Sequence, residues 1–537
     1  MGRDALAGLS IAGLLLPEAV AYSGIAGLPP LAGLIGLLSG LVVYALIGSS
    51  RFAIVSATSS SAAVLAATVL ATPGANAAAQ LTMAAALVIA AGVLFILAGA
   101  ARLGGMADFI SRPVLRGFSF GLALTIVIKE LPKILAVTPR ASDTPRLLLD
   151  LIGQATHANP YSTALGVVAL ALLFTLGRWQ RVPATLLVIV LALAAGYGMD
   201  WQRYGIAVVG AINLQHLGLS LPQLDRAQWM QSAELGFALL LILYAESYGS
   251  IRGFALKRGD TVSANRDLIA LGCANLVSGL LRGMPVGAGY SATSANEAAG
   301  AQTRQAGVFA AGVIAIIIAV FLPLLARIPE PVLAAIVIFS VSHSLHPSVF
   351  RPYWVWRRDR LVVVAALLAV LALGVLDGLL AAIGVSLLLT LRQFSEPKVS
   401  VLGRLRDSHD FVDIALHADA RPIDGLLIAR PEAPLFFANA ERVLSKVRVL
   451  LQHNRPDMHT IMLSLEETPD LDSSVIEALR IFAGECTGRG QRLILARLKP
   501  AALSVLKRAA DDVLRVDMFS ELSVDDCVQT LADRPSV

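Results

Sequence analysis

The sequence predicts an all-α membrane domain followed by a small α/β domain. Of its 537 residues, 56% are hydrophobic and 15% are charged, and the mean hydropathy is +0.71. A soluble chain could not bury that much apolar surface, because single cores stop growing near ~250–300 residues. Near residue 392 long apolar runs give way to closely spaced charges. We therefore predict a membrane domain at 1–392, a linker at 393–410 and a soluble cytoplasmic domain at 411–537.

The membrane domain divides into fourteen segments. Eleven are clear apolar runs, although several fall short of the ~20 residues that a helix needs to cross the hydrocarbon core. They cover residues 31–48, 80–101, 109–131, 161–177, 183–199, 234–253, 266–283, 305–326, 331–345, 361–374 and 376–391. Residues 5–27 form a further segment, which Pro17 and Gly24 interrupt.

The two remaining segments, 56–71 and 286–300, begin with small and hydroxyl residues and are only partly apolar. They are third and tenth in order, so they hold matching positions in two halves of seven. Interrupted segments at corresponding positions of two repeats point to the central site of a transporter. Small residues can also serve simply to pack helices closely, but the matched placement favours a binding site.

The distribution of basic residues predicts the orientation of the chain in the membrane. With the N-terminus inside, more arginine and lysine lies in the inner loops than in the outer ones, as the positive-inside rule requires. The inner set is Arg51, Arg102, Arg112, Arg116, Arg178, Arg181, Arg252, Lys257, Arg258, Arg266, Arg304, Arg351, Arg357, Arg358 and Arg360. Lys129 and Glu130 mark the outer end of the fifth segment.

Broken helices at these two segments would suit a small anion, because a helix N-terminus offers free N–H groups and a positive dipole end. The third segment offers Ser56, Ala57, Thr58 and Ser59, followed by Ser60 and Ser61. The tenth offers Tyr290, Ser291, Ala292 and Thr293, after Gly287 and Gly289 let the chain turn.

Two acids lie inside apolar runs. Glu246 lies deep in the eighth segment, and Glu18 follows Pro17 in the first. Ionisable groups at such depth are costly, which indicates function unless they lie near an interface or bind helix ends. A buried carboxylate can carry a proton, so we predict proton coupling through Glu246.

The soluble domain alternates strands and helices, which predicts a sheet with helices packed on it. Strands are predicted at FVDIAL, GLLIAR, TIMLSLE and RLILARL, and helices at 439–454, 473–490 and 500–513.

The sequence contains no motif for a metal site, an enzyme or nucleic-acid binding. The cysteines Cys273, Cys486 and Cys527 are too few for a disulfide framework or a metal site. The sequence has no GxxxxGK[ST] phosphate loop, no histidine cluster and no basic nucleic-acid motif. We expect no enzyme activity, cofactor, metal or nucleic-acid partner.

Several stretches resemble the sulfate permease (SulP) family. They are PEAVAYSGIAGLPPLAGLI (17–35), ALIGSSRF (45–52), 112–135, 245–279 and GAGYSATSANEAAGAQTRQAG (287–307). The C-terminal domain resembles a STAS domain, and together the matches cover nearly the whole chain.

The resemblance implies two inverted seven-segment repeats that form core and gate subdomains, with the anion between the third and tenth segments and an elevator-like movement of the core. It also implies a homodimer. We expect an inner-membrane location and symport with a proton or, as an alternative, sodium. The family's site residues carry over to Glu18, Tyr22, Ser56 through Ser59, Glu246, Ser291, Thr293 and Asn296.

Two departures bear on the substrate. Many members of the family have an arginine where this chain has Ala292, and the usual Gly-Pro of the third segment is Ser56-Ala57. Loss of the fixed cation disfavours a divalent anion such as sulfate and favours a monovalent or proton-accompanied one. In the STAS-like domain, Ser473 and Ser474 lie where related domains are phosphorylated, but a serine there is also an ordinary helix N-cap.

Two rival interpretations remain. A nucleobase:cation symporter shares the predicted architecture, and Glu246 and Glu297 resemble the acids with which such proteins hold the base. An anion channel or a signalling scaffold could use the same fold.

Overall fold

The computed structural model describes residues 1–70, 77–105, 111–139, 143–179, 184–210, 218–342, 345–396, 398–454 and 458–532. The chain forms two compact units, Met1–Ser386 and Leu387–Val537.

Within the described residues, the regular structure of the first unit is helical apart from one short strand pair, β1 (Val55–Ser56) and β2 (Gly287–Ala288). The helices up to residue 198 are α1 (Gly2–Ile25), α2 (Pro30–Ile47), α3 (Ser59–Leu70), α4 (Ala77–Ala100), α5 (Arg112–Leu135), α6 (Thr144–Gln154), α7 (Pro160–Leu176) and α8 (Ala184–Gly198). The later ones are α9 (Arg226–Arg258), α10 (Ala264–Leu280), α11 (Tyr290–Ala298), α12 (Gln305–Leu325), α13 (Glu330–Ser342), α14 (Arg351–Val355), α15 (Arg360–Leu373) and α16 (Val375–Ser395). Each of the fourteen segments marked in the sequence coincides with one of these helices.

Length and composition allow some of the described helices to cross a membrane. Within the described ranges, six are long and apolar enough to cross a membrane, or seven if α6 and α7, which meet at 118°, form one span. Shorter apolar helices include α8, α15 and residues 305–321 of α12. The fourteen-span count therefore stays a prediction.

Local sequence explains where several helices begin. Asn159 caps α7 through its side chain, and Asp225 and Gln228 form a reciprocal capping box at the start of α9. Helix α9 ends at Gly259, whose φ of +69° is a left-handed conformation that glycine adopts at little cost.

Close helix contacts hold the site region together. A Cβ atom at Gly33 of α2 would lie 2.0 Å from the carbonyl oxygen of Ala19 in α1. One at Gly40 would lie 2.4 Å from the carbonyl oxygen of Val55. Only glycine allows α2 to approach α1 and the segment before α3 this closely.

The second unit has a sheet whose strands are β3 (Val399–Leu405), β4 (Phe411–Asp413), β5 (Ala420–Arg421), β6 (Leu426–Pro431), β7 (Thr460–Ser464) and β8 (Arg492–Ala496). The strand order is β4-β3-β6-β7-β8, and β5 pairs with β3. Strands β6, β7 and β8 are parallel, and β3 runs antiparallel to β6. The helices are α17 (Ala440–Asn454), α18 (Ser473–Gly488), α19 (Pro500–Ala509) and α20 (Val524–Ala532).

Alternating residues of the strands pack on both faces of this sheet. Leu427 and Ala429 of β6 belong to the larger core cluster, which also holds buried residues of α17, α18 and α19. Leu426 and Ile428 belong to a smaller cluster with Val524 of α20. Helices therefore cover both faces, as the alternation of strands and helices predicts.

The predicted linker 393–410 is wrong for residues 399–405. Val399, Ser400 and Val401 of β3 pair with Pro431, Arg430 and Ala429 of β6, so β3 belongs to the sheet. Charged residues after β3 made this stretch look like a solvated connection in the sequence.

Candidate functional site

The two interrupted segments meet in the first unit through a two-stranded antiparallel pair. Strand β1 (Val55–Ser56) precedes α3, and strand β2 (Gly287–Ala288) precedes α11. Val55 pairs with Ala288, and Ser56 pairs with Gly287. Because both half-helices begin directly after this pair, their N-termini face a common region.

Helix α3 has a reciprocal cap. The backbone N–H of Ser61 donates to Thr58 Oγ1 over 3.1 Å, and the N–H of Thr58 donates to Ser61 Oγ over 3.0 Å. This cap occupies the N–H of the third helical residue. The N–H groups of Ser59 and Ser60, in the same first turn, have no partner within the helix.

Helix α11 begins without a side-chain cap. Its N-cap residue is Gly289, which offers no side-chain acceptor. Tyr290 and Ser291 are exposed, and the Tyr290 ring packs on Phe254 with centroids 5.2 Å apart. Ala292 is buried. The first-turn N–H groups of α11 are therefore available to an anion.

Buried polar side chains fix the backbone of the strand pair. Ser247 Oγ accepts a 2.8 Å bond from the N–H of Ala288. The Asn275 amide both donates to the carbonyl of Val286 and accepts from its N–H, each over 2.9 Å. Neither Ser247 nor Asn275 was picked from the sequence, because a lone polar residue in an apolar helix carries no spacing signal.

Thr293 and Asn296 also bind backbone rather than facing the open region. Thr293 Oγ1 accepts from the N–H of Ile54 over 3.3 Å, and Asn296 donates to the carbonyl of Phe52 over 3.0 Å. Both side chains are almost fully buried. Their predicted role in anion binding stays a prediction, and the contacts seen hold the approach to α3 in place.

Glu246 of α9 lies against the start of α3. Its Oε2 accepts a hydrogen bond from Ser60 Oγ and a 3.3 Å bond from Thr58 Oγ1. Thr58 Oγ1 and Ser60 Oγ also lie 2.9 Å apart. The Glu246 carboxylate therefore binds two side chains at the start of α3, the half-helix that the sequence predicts to bind an anion.

Glu18 and Tyr22 of α1 form a second polar group with Ser340 of α13. Ser340 Oγ donates to Glu18 Oε1 over 2.8 Å. The Tyr22 hydroxyl lies 3.1 Å from Ser340 Oγ, and it is the donor if the serine proton goes to Glu18. Ser340 was not picked from the sequence, because it is a single polar residue in an apolar run.

Glu297 is occupied by two cations. Lys257 Nζ lies 3.1 Å from its carboxylate, and Arg258 also donates to it. The residue is largely buried. A carboxylate paired in this way is a poor acceptor for a base, which weighs against the nucleobase interpretation.

In the second unit, the residue that caps α18 is Asp472 and neither of the serines. The N–H of Val475 donates to Asp472 Oδ1 over 3.0 Å. Ser473 and Ser474 are exposed in the first turn. The N-cap explanation for these serines is therefore wrong, and a regulatory role stays a prediction.

Comparison with known proteins identifies both units. Residues 1–369 match the sulfate permease family, and residues 417–518 match the STAS domain. A probable sulfate transporter of Mycobacterium tuberculosis is 32% identical over 511 residues, covering 94% of this chain and 91% of that protein. Human solute carrier family 26 member 6 is 28% identical over 465 residues, covering 82% of this chain and 61% of that protein.

Solved structures share the fold. Murine solute carrier 26 family member A9, an anion transporter in the inward-facing state, superposes with a TM-score of 0.91 at 22% identity, covering 99% of this chain and 92% of that one. The transmembrane domain of the cyanobacterium bicarbonate transporter BicA gives 0.62 at 22% identity, covering 71% of this chain and 97% of that one. The chain therefore belongs to the sulfate permease family, with a STAS domain following its membrane domain.

Proposed function

We propose that this protein is a secondary active transporter of a small anion, which binds between the N-termini of α3 and α11. The observation that carries the proposal is the antiparallel pairing of Val55–Ser56 with Gly287–Ala288, which directs two helix N-termini at one region. Each N-terminus supplies roughly half a positive charge and unpaired N–H donors. A single negative charge is matched by two such ends.

The relatives support an anion as the cargo and leave open which anion it is. The mycobacterial relative is described as a sulfate transporter, and one structural neighbour as a bicarbonate transporter. The binding residues we propose are Ser59, Ser60, Ser291 and Ala292 through their N–H groups, with Glu18, Tyr22, Ser56, Ala57, Thr58, Tyr290, Thr293 and Asn296 lining or supporting the site.

Glu246 is the proposed proton carrier. An ionised Glu246 beside Ser60 would repel an anion at the N-terminus of α3, whereas the protonated acid would not. Protonation of Glu246 would then favour binding of the anion at α3, and bound anion would favour protonation of Glu246. Symport requires this mutual dependence.

Alternating access would follow an elevator-like movement of the core, and the protein would work as a homodimer in the inner membrane. The charge distribution favours a cytoplasmic N-terminus and STAS domain. The elevator-like movement and the homodimer rest on the family resemblance.

The test is uptake into proteoliposomes of labelled bicarbonate, sulfate, chloride, fumarate and uracil, each with and without an inward proton gradient. Gradient-driven uptake of one anion is the expected result and would name the cargo. Uptake of uracil alone would overturn the anion assignment, and saturation-free conductance would indicate a channel.

A further inference from the structure

A group of arginines with no ion pair to any described residue lies at one end of the first unit, next to exposed tryptophans. Arg112 and Arg116 lie in the first turns of α5, and Arg357, Arg358 and Arg360 lie at the start of α15. We name these five residues the arginine cluster.

Helix packing places both parts of the cluster at the same end. A Cβ atom at Gly117 of α5 would lie 2.3 Å from the carbonyl oxygen of Val363 in α15. One at Gly121, a turn later, would lie 3.1 Å from the carbonyl oxygen of Leu367. The two helices therefore run in parallel and in close contact, and their first turns are neighbours.

The charges of the cluster are not neutralised within the described part of the chain. None of its five side chains has an ion pair there, in contrast to Arg51, which binds Asp260 over 2.6 Å. Four of the five are exposed, and Arg360 is partly so. The neighbouring acid, Asp359, forms no described ion pair with them. A large positive charge density thus remains at this end of α5 and α15.

Apolar side chains lie beside these charges. Trp354 is 50% exposed, Trp356 is 66% exposed and Leu361 is 78% exposed. The segment is held in place by Phe350, whose ring lies 4.9 Å from that of Phe120 in α5, centroid to centroid. Exposed tryptophan next to unpaired arginine is typical of chain at the boundary between hydrocarbon and lipid headgroups.

We propose that the arginine cluster and Trp354 and Trp356 form a binding surface for anionic phospholipid headgroups. The guanidinium groups would bind the lipid phosphate in bidentate geometry, and the indole rings would lie at the headgroup level. A soluble anion would satisfy the charge but would leave the two tryptophans and Leu361 in water. In the orientation proposed above, the surface faces the cytoplasmic leaflet, which carries the anionic lipid.

The surface is separate from the proposed anion site, so its test does not depend on transport. Full-length protein would be reconstituted into phosphatidylcholine vesicles that contain brominated phosphatidylglycerol, and bromine quenching of tryptophan fluorescence would be measured. Brominated phosphatidylcholine gives the reference. The paired variants are Arg357→Gln/Arg358→Gln and the control Arg146→Gln/Arg203→Gln, which removes the same charge beyond the far end of α5.

We expect the preference for phosphatidylglycerol to fall about 30-fold in Arg357→Gln/Arg358→Gln (~2 kcal/mol at 1.4 kcal/mol per tenfold) and to stay unchanged in the control. Replacing Trp354 and Trp356 with phenylalanine should reduce the excess of quenching by brominated phosphatidylglycerol over brominated phosphatidylcholine, although Trp179, which is 66% exposed, still contributes to the total. Elution as a single species would show that each variant is folded.

Three results would overturn the proposal. They are an equal loss in the two double variants, an unchanged preference in both, and an excess of quenching by brominated phosphatidylglycerol that is undiminished without Trp354 and Trp356. Displacement of the lipid by equimolar inorganic phosphate would also overturn it, because the surface would then be a site for a free anion.

Discussion

Glu246→Gln is the sharpest test of the proposed coupling. Glutamine has the shape of the protonated acid and can still accept from Ser60 and Thr58, the two side chains that hold Glu246 at the start of α3. The substitution therefore removes the titration and leaves the packing of α9 on α3 unchanged.

The size of the effect follows from the geometry. An anion held by the first-turn N–H groups of α3 would lie on the order of 5 Å from the Glu246 carboxylate, because Thr58 Oγ1 at the helix start is 3.3 Å from it. At an effective dielectric constant of about 20, two unit charges at 4–5 Å repel by about 3–4 kcal/mol. Deprotonation of Glu246 should then weaken anion binding by roughly 200- to 1,000-fold.

The assay compares anion affinity and uptake in proteoliposomes across pH. In the wild type, affinity should fall as pH rises through the titration of Glu246, and an inward proton gradient should drive accumulation. In Glu246→Gln, affinity should stay at its low-pH value at every pH, and accumulation driven by the gradient should be lost.

Glu234→Gln is the matched control, because Glu234 lies on the same helix and is exposed. It should behave as the wild type does. If Glu246→Gln kept the wild-type pH dependence, the reasoning would be refuted, because proton coupling would then not require the charge of Glu246.

Four further predictions concern other parts of the chain. Ser291→Trp should abolish anion binding by filling the space at the N-terminus of α11, whereas Ala298→Trp, at the exposed far end of the same helix, should not; unchanged uptake in Ser291→Trp would move the site elsewhere. Gly40→Ala should lower the thermal midpoint by overpacking against Val55, at about 1–3 kcal/mol, and Gly312→Ala, in open space, should not; equal midpoints would show that α2 can shift. A chain that ends at residue 410 should aggregate more than one that ends at Ser395, because it retains β3 without its partner β6; equal monodispersity in size-exclusion chromatography would contradict this. The hydrogen bond from His409, and to a lesser extent the charge of Arg404, hold the pKa of Asp525 below its usual range. The stability that the ionised Asp525 adds to the STAS domain is therefore present above about pH 4 and is lost as the pH falls through the lowered pKa. Asp525→Asn should flatten this acid dependence of STAS-domain unfolding, and an unchanged acid slope would contradict the prediction.

The sequence predicted that the two interrupted segments meet, because several features of their composition and position point to the same conclusion. Residues 56–61 and 287–293 combine small residues, hydroxyls and glycine at a place where apolar helix is expected, and each does so at the same position of its half. Such a departure from the apolar pattern is visible without a structure. It indicated α3 and α11 as half-helices, and β1 and β2 now account for their juxtaposition.

The partners of those segments could not be predicted in the same way. Ser247, Asn275 and Ser340 are single polar residues in apolar helices, and which way each side chain faces depends on how the helices pack. Sequence spacing gives a helix face only where the apolar residues have a period, and helices that are apolar all round have none. Strand β3 was missed for a different reason, because charged residues lie directly before and after it.

The absence of a fixed cation at Ala292 bears on the choice of cargo. With alanine there, the positive charge that we assign to the site comes from two helix ends, each roughly half an elementary charge. Lys257 and Arg258 lie on the neighbouring helix α9, but Glu297 binds both of them. A monovalent anion would balance the two helix ends, whereas a divalent anion would leave one negative charge uncompensated. Protonation of Glu246 removes a negative charge next to this site, so a divalent anion would need that proton more than a monovalent one. The charge balance therefore favours a monovalent anion, and it predicts that any divalent cargo depends more steeply on the proton gradient.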